Sequence, residues 1–329
     1  IYKENVIQNE TTQPSSSTST FLNTEVLRNQ IESITIEKTN VVPSDAKYSK
    51  DISSKQDGSV MLWYTDKDNN SLYEISIGSE NGSVEANTNG SGMFAYLDNV
   101  STLDLSGLDT SNMTSMSKMF YNSKSLTNID VSGLDTSKVV TMTNMFEGCT
   151  NLKDLDVSNF DTSNVTTMQY MFRKCASLEK LNLSNFNNDK LKITSRMFWE
   201  CSNLKILVLS NFNTSNVIDM ERMFSGCSSL ITLNLSSFNT SKVTRMNDMF
   251  SNCSSLVDLN VSNFDTSNVT NMEGMFNNCS KLTSLNLLNF NTSKVINMNR
   301  MFQGCSNIKS IDLSNFDTKS VKTMQLIFG

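Results

Sequence analysis

The chain has 329 residues and a formal net charge of −6, and it contains no histidine. Histidine is the usual proton shuttle and the commonest metal ligand, so neither a metal site nor a histidine-based catalytic triad is expected. Residues 1–92 carry 13 acidic and 7 basic residues, whereas residues 93–329 carry 20 of each and have no excess charge to hold nucleic acid. No stretch approaches the 18 apolar residues typical of a membrane-spanning helix, so no membrane insertion is expected within this chain.

The first 92 residues differ in composition from the remainder. Residues 1–20 include a run of Ser, Thr, Gln and Asn, which is typical of a disordered tail or linker. Residues 21–92 contain two predicted strands, at 59–64 and 72–77, separated by the polar turn 66–70. We therefore expect residues 21–92 to form a small β-rich N-terminal capping region.

A strict period of 26 residues occupies the remainder of the chain. It is most visible as a column of phenylalanines, usually preceded by methionine. The column comprises Phe94, Phe120, Phe146, Phe172, Phe198, Phe224, Phe250, Phe276, Phe302 and Phe328. A fixed period of this length predicts that each unit is one coil stacked on the next.

Each repeat contains an L-x-x-L-x-L pattern, seen at Leu178, Leu181 and Leu183. The last two positions are two residues apart, so both side chains would point inward from a short strand. The second half of the repeat has apolar residues at i, i+3, i+4 and i+7, as in the run from Met168 to Cys175. That spacing predicts one face of a short helix.

Together these patterns predict an α/β repeat fold. We expect a leucine-rich-repeat solenoid, a right-handed superhelix of parallel short strands with short helices on the opposite side, over residues 93–329. It would have about nine 26-residue coils and be truncated at its C-terminal end, because the chain stops inside a repeat.

The unit C-x-x-L-x-x-L-D-L-S-N-F-D-T-S-x-V-x-x-M-x-x-M-F resembles the 26-residue repeat of BspA-type leucine-rich-repeat surface proteins of bacteria. Residues 151–175 are a near-complete copy, and residues 55–61 followed by Trp63 resemble the segment that precedes the repeats in that family. The resemblance implies an exported, cell-surface or wall-anchored protein that binds host components or other cells. It implies no catalysis.

Several columns have both a chemical and a structural interpretation. All seven cysteines occupy one column, which we interpret as buried structural positions rather than disulfides or metal ligands. The recurrent Thr-Ser pair, as at Thr162 and Ser163, is interpreted as a hydroxyl ladder bonded to the backbone rather than a binding array. The outward mid-strand column, which includes Asp130 and Asn260, is interpreted as a solvated polar face rather than a calcium ladder.

The repeat is irregular at 188–208, where residues 188–194 replace the usual Thr-Ser-x-Val-x-x-Met. Exposed apolar and aromatic residues near arginine are the usual composition of a binding hot spot, although neutral drift would leave the same pattern. Together with neighbouring outward strand positions, this region supplies the candidate ligand-binding residues. They are Asp156, Asn182, Trp199, Ile206, Val208 and Asn234.

The leading functional hypothesis is therefore a non-enzymatic, extracellular adhesion or recognition module without a cofactor. Its partner would be a protein or glycan on host or neighbouring cells, bound through the face of the repeat stack. Two alternatives stay open. The repeats could be a structural spacer of a surface protein, or the targeting repeats of a larger enzyme or toxin.

Overall fold

The computed structural model describes residues 4–329, which form two compact units, one ending at Phe160 and the other spanning Asp161–Gly329. Stacked repeats occur in both units. In each, parallel bridges join residues 26 positions apart, such as Ser115 with Thr141 and Ile193 with Asp219. The repeat organisation predicted from the period is therefore confirmed.

A four-stranded sheet lies near the start of the first unit, after a three-residue 3-10 helix at Arg28–Gln30. Its strands are β1 (Ile31–Glu37), β2 (Tyr48–Asp51), β3 (Val60–Thr65) and β4 (Tyr73–Ser79). The strand order is β1-β4-β3-β2, with β1 parallel to β4 and the other pairs antiparallel. The strands predicted at 59–64 and 72–77 are confirmed as β3 and β4, and they bury alternate residues such as Leu62 and Ile75.

Residues 4–20, predicted from composition to be a tail or linker, lie against this cap. Val6 forms a parallel bridge with Glu85, and the N–H of Ile7 donates to the Glu85 carbonyl at 2.8 Å. Ile7 is buried, as is most of the Glu10 side chain. Residues 1–3 of the predicted tail lie outside the described residues.

Arg28 closes the end of the repeats in the first unit. Its side chain is fully buried, and its Nη1 donates to the carbonyls of Gly92, Met93 and Ala95 at 3.0, 3.1 and 2.8 Å. Its Nη2 bonds both carboxylate oxygens of Glu10, at 2.7 and 2.8 Å. In later repeats the carbonyls equivalent to Met93 and Ala95 accept N–H groups from the preceding repeat. The guanidinium therefore replaces the backbone donors that a preceding repeat would supply.

The L-x-x-L-x-L segments form strands of two or three residues rather than one continuous sheet. These strands are β6 (Thr102–Asp104), β8 (Asn128–Asp130), β9 (Lys180–Asn182), β10 (Ile206–Val208), β11 (Thr232–Leu233) and β12 (Asp258–Leu259). Two further short strands, β5 (Val84–Glu85) and β7 (Leu108–Asp109), lie outside the L-x-x-L-x-L segments. All pairs are parallel and two-stranded: β5 with β7, β6 with β8, β9 with β10 and β11 with β12.

Continuous pairing in the second unit occurs instead in the segment before the methionines, residues 191–194 and their equivalents, which we call the bridge segment. Parallel bridges there connect seven successive repeats. The bridged residues are Thr167, Ile193, Asp219, Arg245, Asn271, Asn297 and Thr323. The main repeat-to-repeat ladder of this unit therefore lies outside the leucine-rich segment.

The predicted helices are absent: among residues 4–329 the 3-10 turn at Arg28–Gln30 is the only helix. Residues 168–175 and their equivalents, which we call the turn segment, form a ladder of turns. Tyr170 and Lys174 both have φ of +59°, and two residues per repeat share this left-handed conformation in most repeats. A right-handed helix requires negative φ throughout. The predicted α/β leucine-rich-repeat solenoid, with helices on one side, is therefore wrong.

Hydrogen bonding in the turn segment alternates between two directions. The N–H groups of Tyr170 and Phe172 donate to carbonyls of the next repeat, at Ser195 and Met197, over 3.2 and 2.9 Å. The intervening N–H groups donate three residues back, as Met171 does to Met168 at 3.1 Å. Because half of the donors leave the repeat, a local i→i−4 helix cannot form.

The residues that suggested a helix face are nevertheless buried. Met168, Met171 and Phe172 have no exposed surface, and within each unit the rings of the Phe column stack on one another. In the second unit its ring centroids are 5.6–5.8 Å apart, and the rings lie within 9° of parallel from Phe172 to Phe302. The apolar pattern correctly predicted which residues form the core. The helical backbone conformation predicted for these residues was wrong.

Substitutions at Asn252, which has φ of +60°, distinguish the turn ladder from a helix. In the left-handed region a Cβ costs about 1–2 kcal/mol, so Asn252→Gly should be more stable than Asn252→Ala by about 1 kcal/mol. A helix would reverse the order by a similar amount. Both variants lose the same bond from Asn278 Nδ2, so their difference in urea denaturation isolates the backbone. The same pair at Lys281, where φ is not positive, is the control and should not favour glycine.

Replacing Arg28 with methionine tests its role as a cap. Arg28→Met leaves Glu10 buried without its partner and the carbonyls of Met93 and Ala95 without a donor, so unfolding should become easier by about 3–5 kcal/mol. The control variant Lys47→Met removes the half-exposed partner of Asp66, and its free energy of unfolding should fall by only about 0–1 kcal/mol. Equal losses for the two variants in urea denaturation would contradict the capping role.

Candidate recognition surface on the strand face

The outward positions of the short strands form the exposed surface on which most of the predicted site residues lie. In β10, Ile206 is 54% exposed while its neighbour Leu207 is 8% exposed, which is the alternation expected of a strand covered on one face. The second outward position of each strand, two residues after that of Ile206, is partly exposed at Val208 and exposed in the equivalent residues Asp156, Asn182 and Asn234. Asp156 belongs to the first unit and the other three residues to the second.

The polar members of this outward column end their strands. The carboxylate of Asp156 accepts the N–H of Ser158 at 2.9 Å, and Asn182 and Asn234 accept the equivalent N–H two residues later at 3.0 Å each. This is an Asx turn, which Asp and Asn form readily. Hydrogen bonds from Ser158 hold the pKa of Asp156 below its usual value. The D/N-x-S spacing at these positions is a sequence signal for this turn.

Apolar residues occur in this polar column, at Val208, and at nearby outward positions of the second unit, at Ile206, Ile231 and Val257. We call these four residues the strand-face cluster. Ile231 is 59% exposed and Val257 is 40% exposed, and the N–H of Val257 donates to the Ile231 carbonyl at 3.0 Å. Val208 has no side-chain oxygen and cannot form the Asx turn. The strand-face cluster therefore lies where this column has no Asp or Asn to end the strand.

A groove of about 510 Å³ adjoins the cluster at β11 and β12. Its lining is mainly amide and hydroxyl groups with one carboxylate and two leucines. The lining residues are Thr232, Leu233, Asn234, Leu235, Ser236, Asp258, Asn260, Ser262 and Asn263. Of the predicted site residues, the structure therefore brings Ile206, Val208 and Asn234 onto one apolar and polar surface.

Trp199 belongs to a different part of the repeat. It lies in the turn segment, partly exposed, with the guanidinium of Arg173 at 4.0 Å and that of Arg222 at 5.3 Å from its ring centroid. Such cation–π contacts stabilise the fold as well as forming hot spots. The cation–π contacts and backbone hydrogen bonds of Trp199 join it to other residues of the turn segment, so the predicted site divides into two surfaces.

The charges around Trp199 are paired within the chain. Arg196 bonds Glu221 at 2.6 Å and the hydroxyl of Tyr170 at 2.7 Å, and Arg222 bonds Asp248 at 3.2 Å. Burial raises the pKa of Asp248, an effect that Arg222 opposes. These pairs link adjacent repeats, so Arg196 and Arg222 form structural contacts within the fold.

The cysteine column is a ladder of free thiols. Six of the seven are buried and Cys305 is partly exposed, which confirms the predicted burial of this column. The thiols of Cys201 and Cys253 donate to the carbonyls of Phe172 and Phe224 at 3.0 and 3.2 Å. Ser123 occupies the same column and makes the equivalent bond to the Phe94 carbonyl at 2.7 Å.

The threonine column has a similar role. The hydroxyl of Thr214 donates to the Asn239 carbonyl at 2.8 Å and accepts the Asn239 N–H at 2.8 Å, and Thr266 pairs with Asn291 in the same way. These threonines are buried, so the interpretation as a backbone-bonded ladder is confirmed. In residues 4–329 no group of three or more acidic or cysteine side chains is placed to hold a metal ion.

The chain is thus a repeat protein, and a comparison with protein families identifies which kind. It belongs to the family described as Mycoplasma protein of unknown function, DUF285, which matches residues 88–205, 180–260 and 256–329. Comparisons with curated proteins and with solved structures found no match. Residues 4–329 form no helix that could cross a lipid bilayer. The resemblance to BspA-type proteins stays a prediction.

The buried thiols predict a pH dependence of stability. Burial raises the pKa of Cys201 and Cys253 to about 12, whereas a thiol in the unfolded chain titrates near about 8.5. A raised folded pKa stabilises the protein fully below the unfolded value, and this contribution is lost as the pH rises from about 9 to about 12. The free energy of unfolding in urea should therefore fall across that range.

The matched control is the double variant Cys201→Ser/Cys253→Ser, because serine keeps a donor, as at Ser123, and does not ionise. Its loss of stability with rising pH should be smaller than that of the wild type. An identical pH dependence in both proteins would show that these thiols do not contribute.

Proposed function

We propose that the chain is a non-catalytic recognition module of a bacterial cell surface that binds a protein or glycan on host or neighbouring cells through the strand-face cluster. The observation that carries this proposal is the exposure of Ile206, Ile231 and Val257 beside a polar groove. An apolar patch bordered by polar groups is the usual composition of an interaction surface. Burying each aliphatic side chain completely would contribute at most about 1.5–3 kcal/mol.

The repeat stack supports recognition because it holds the surface in one conformation before any ligand arrives. β9 pairs with β10 and β11 with β12, and Asx turns at Asn182 and Asn234 fix the strand ends. A preorganised surface loses little conformational entropy on binding, so more of the contact energy appears as affinity.

The thiols favour a binding role over chemistry. A thiol reacts as the thiolate, and burial raises the pKa of the Cys201 and Cys253 thiols to about 12. Near neutral pH these groups are therefore protonated hydrogen-bond donors. The same backbone ladder would also suit a spacer, and binding by the isolated chain distinguishes the two functions.

Introducing charge into the cluster should abolish recognition. Ile206→Asp/Ile231→Asp should weaken binding to any component retained by the wild-type chain on an array of matrix proteins and glycans by roughly tenfold or more. Because both side chains are exposed, the free energy of unfolding should change by less than about 1 kcal/mol.

The control is Val41→Asp/Val140→Asp, which changes two residues of the first unit that are 72% and 44% exposed. It should bind like the wild type. If the wild type binds a ligand and the cluster variant binds it equally well, the strand-face cluster is not the recognition surface. If the chain binds nothing on the array, the spacer function is favoured.

A further inference from the structure

Two outward columns of the second unit carry lysine but no acidic residue. One column alternates between asparagine and lysine over the six repeats from Asn164 to Lys294 and then has serine at position 320, and the other column lies two residues further along each repeat. The first contains Asn164, Lys190, Asn216, Lys242, Asn268 and Lys294, and the second contains Thr166, Lys192, Ile218, Thr244, Thr270, Ile296 and Lys322. We call these two columns the lysine face.

The second column of the lysine face lies in the bridge segment, where backbone hydrogen bonds join successive repeats. The N–H of Ile218 donates to the Lys192 carbonyl, and that of Thr244 to the Ile218 carbonyl, both at 2.9 Å. Similar bonds continue to Lys322. Parallel strands joined in this way lie about 4.8 Å apart, so the lysines of the alternating column are separated by about 10 Å.

Each lysine of the alternating column is oriented by the asparagine before it. The Nζ atoms of Lys190, Lys242 and Lys294 donate to the preceding asparagine Oδ1 at 2.7, 2.7 and 2.8 Å. An ammonium group has three donors, so two remain for a ligand. Within residues 4–329 none of these lysines forms a salt bridge, in contrast to Lys174 and Lys205.

The surface between the lysines is weakly apolar. The hydroxyls of Thr244 and Thr270 donate to the carbonyls of the preceding repeat at 3.2 and 3.3 Å, and Ile218 and Ile296 are 45% and 41% exposed. Two carboxylates lie in the flanking columns: Asp189, next to the alternating column, and Asp219, next to the second column, which is paired with Arg245 at 3.3 Å. The nearby Asp265 accepts the N–H of Ser267 and so ends a turn.

We propose that the lysine face binds a linear glycan in which every second sugar carries a carboxylate or sulfate. Cationic and amide positions alternate at about 4.8 Å, which is close to the advance of one sugar, so a charge falls opposite each second sugar. The Nδ2 atoms of Asn216 and Asn268 already donate to backbone carbonyls at 2.9 and 2.8 Å, so each amide offers one remaining N–H to a sugar hydroxyl, and the aliphatic groups suit the C–H faces of the neutral sugars. A continuous polyanion such as nucleic acid would leave every asparagine position opposite an unpaired charge.

The test uses the full chain and a hyaluronan hexasaccharide, in which carboxylated and neutral sugars alternate, measured by calorimetry at low and high salt. Binding is expected, with weakening at high salt because the contacts are ionic. Lys190→Gln/Lys242→Gln/Lys294→Gln should lose roughly tenfold or more in affinity, with an unchanged unfolding curve. The control Lys180→Gln/Lys281→Gln/Lys309→Gln removes three other exposed lysines of this unit and should bind like the wild type.

A second variant tests the alternation itself. Asn216→Lys/Asn268→Lys should gain affinity for polygalacturonate, in which every sugar is charged, without gaining affinity for hyaluronan. A gain for both glycans would show a nonspecific cationic surface and overturn the proposal. So would an absence of hyaluronan binding, equal loss in the control variant, or binding only to phosphatidylglycerol vesicles. If the lysine face does not bind hyaluronan, the proposed function of the strand-face cluster still stands, because the cluster variants and the lysine variants change different surfaces.

Discussion

The structure depends on hydrogen bonds that run from one repeat to the next instead of closing inside a repeat. In the turn segment alternate N–H groups, such as that of Phe172, reach carbonyls 25 residues further along the chain. In the bridge segment the donors point in both directions along the stack, as those of Ile218 and Met220 do. Because a single repeat cannot satisfy these groups, its conformation exists only beside its neighbours, which is the cooperative behaviour expected of repeat arrays.

The sequence predicted the core well because burial depends on side-chain columns. Met168, Phe172 and Leu181 are buried at the positions that the period assigned to them. It failed for the backbone because spacing at i, i+3, i+4 and i+7 describes an inward face without specifying how the chain turns. The decisive residues were those between the apolar positions, where Tyr170 and Lys174 adopt left-handed φ. Neither residue type signals that conformation, although the glycines at equivalent positions, such as Gly226, do.

The sequence predicted part of the candidate site, again because side-chain columns can be read from the repeat period. The outward aliphatic residues Ile206 and Val208 were recognised because they replaced polar residues in regular columns. Trp199 was grouped with them because it is close in sequence, yet the fold places it in the turn segment among paired arginines. The two columns of the lysine face were missed because a regular alternation does not stand out when irregularity is taken as the sign of function.

The capping by Arg28 also determines how such molecules meet one another. An open row of carbonyls at the end of a stack is a template onto which the backbone of another chain can add, as at any exposed sheet edge. Here the guanidinium donates hydrogen bonds to the carbonyls of Met93 and Ala95, and Glu10 balances its charge within the same chain. A second molecule could add to this end only by first extracting a buried ion pair. A single side chain thus protects this end of the first unit against edge-to-edge polymerisation.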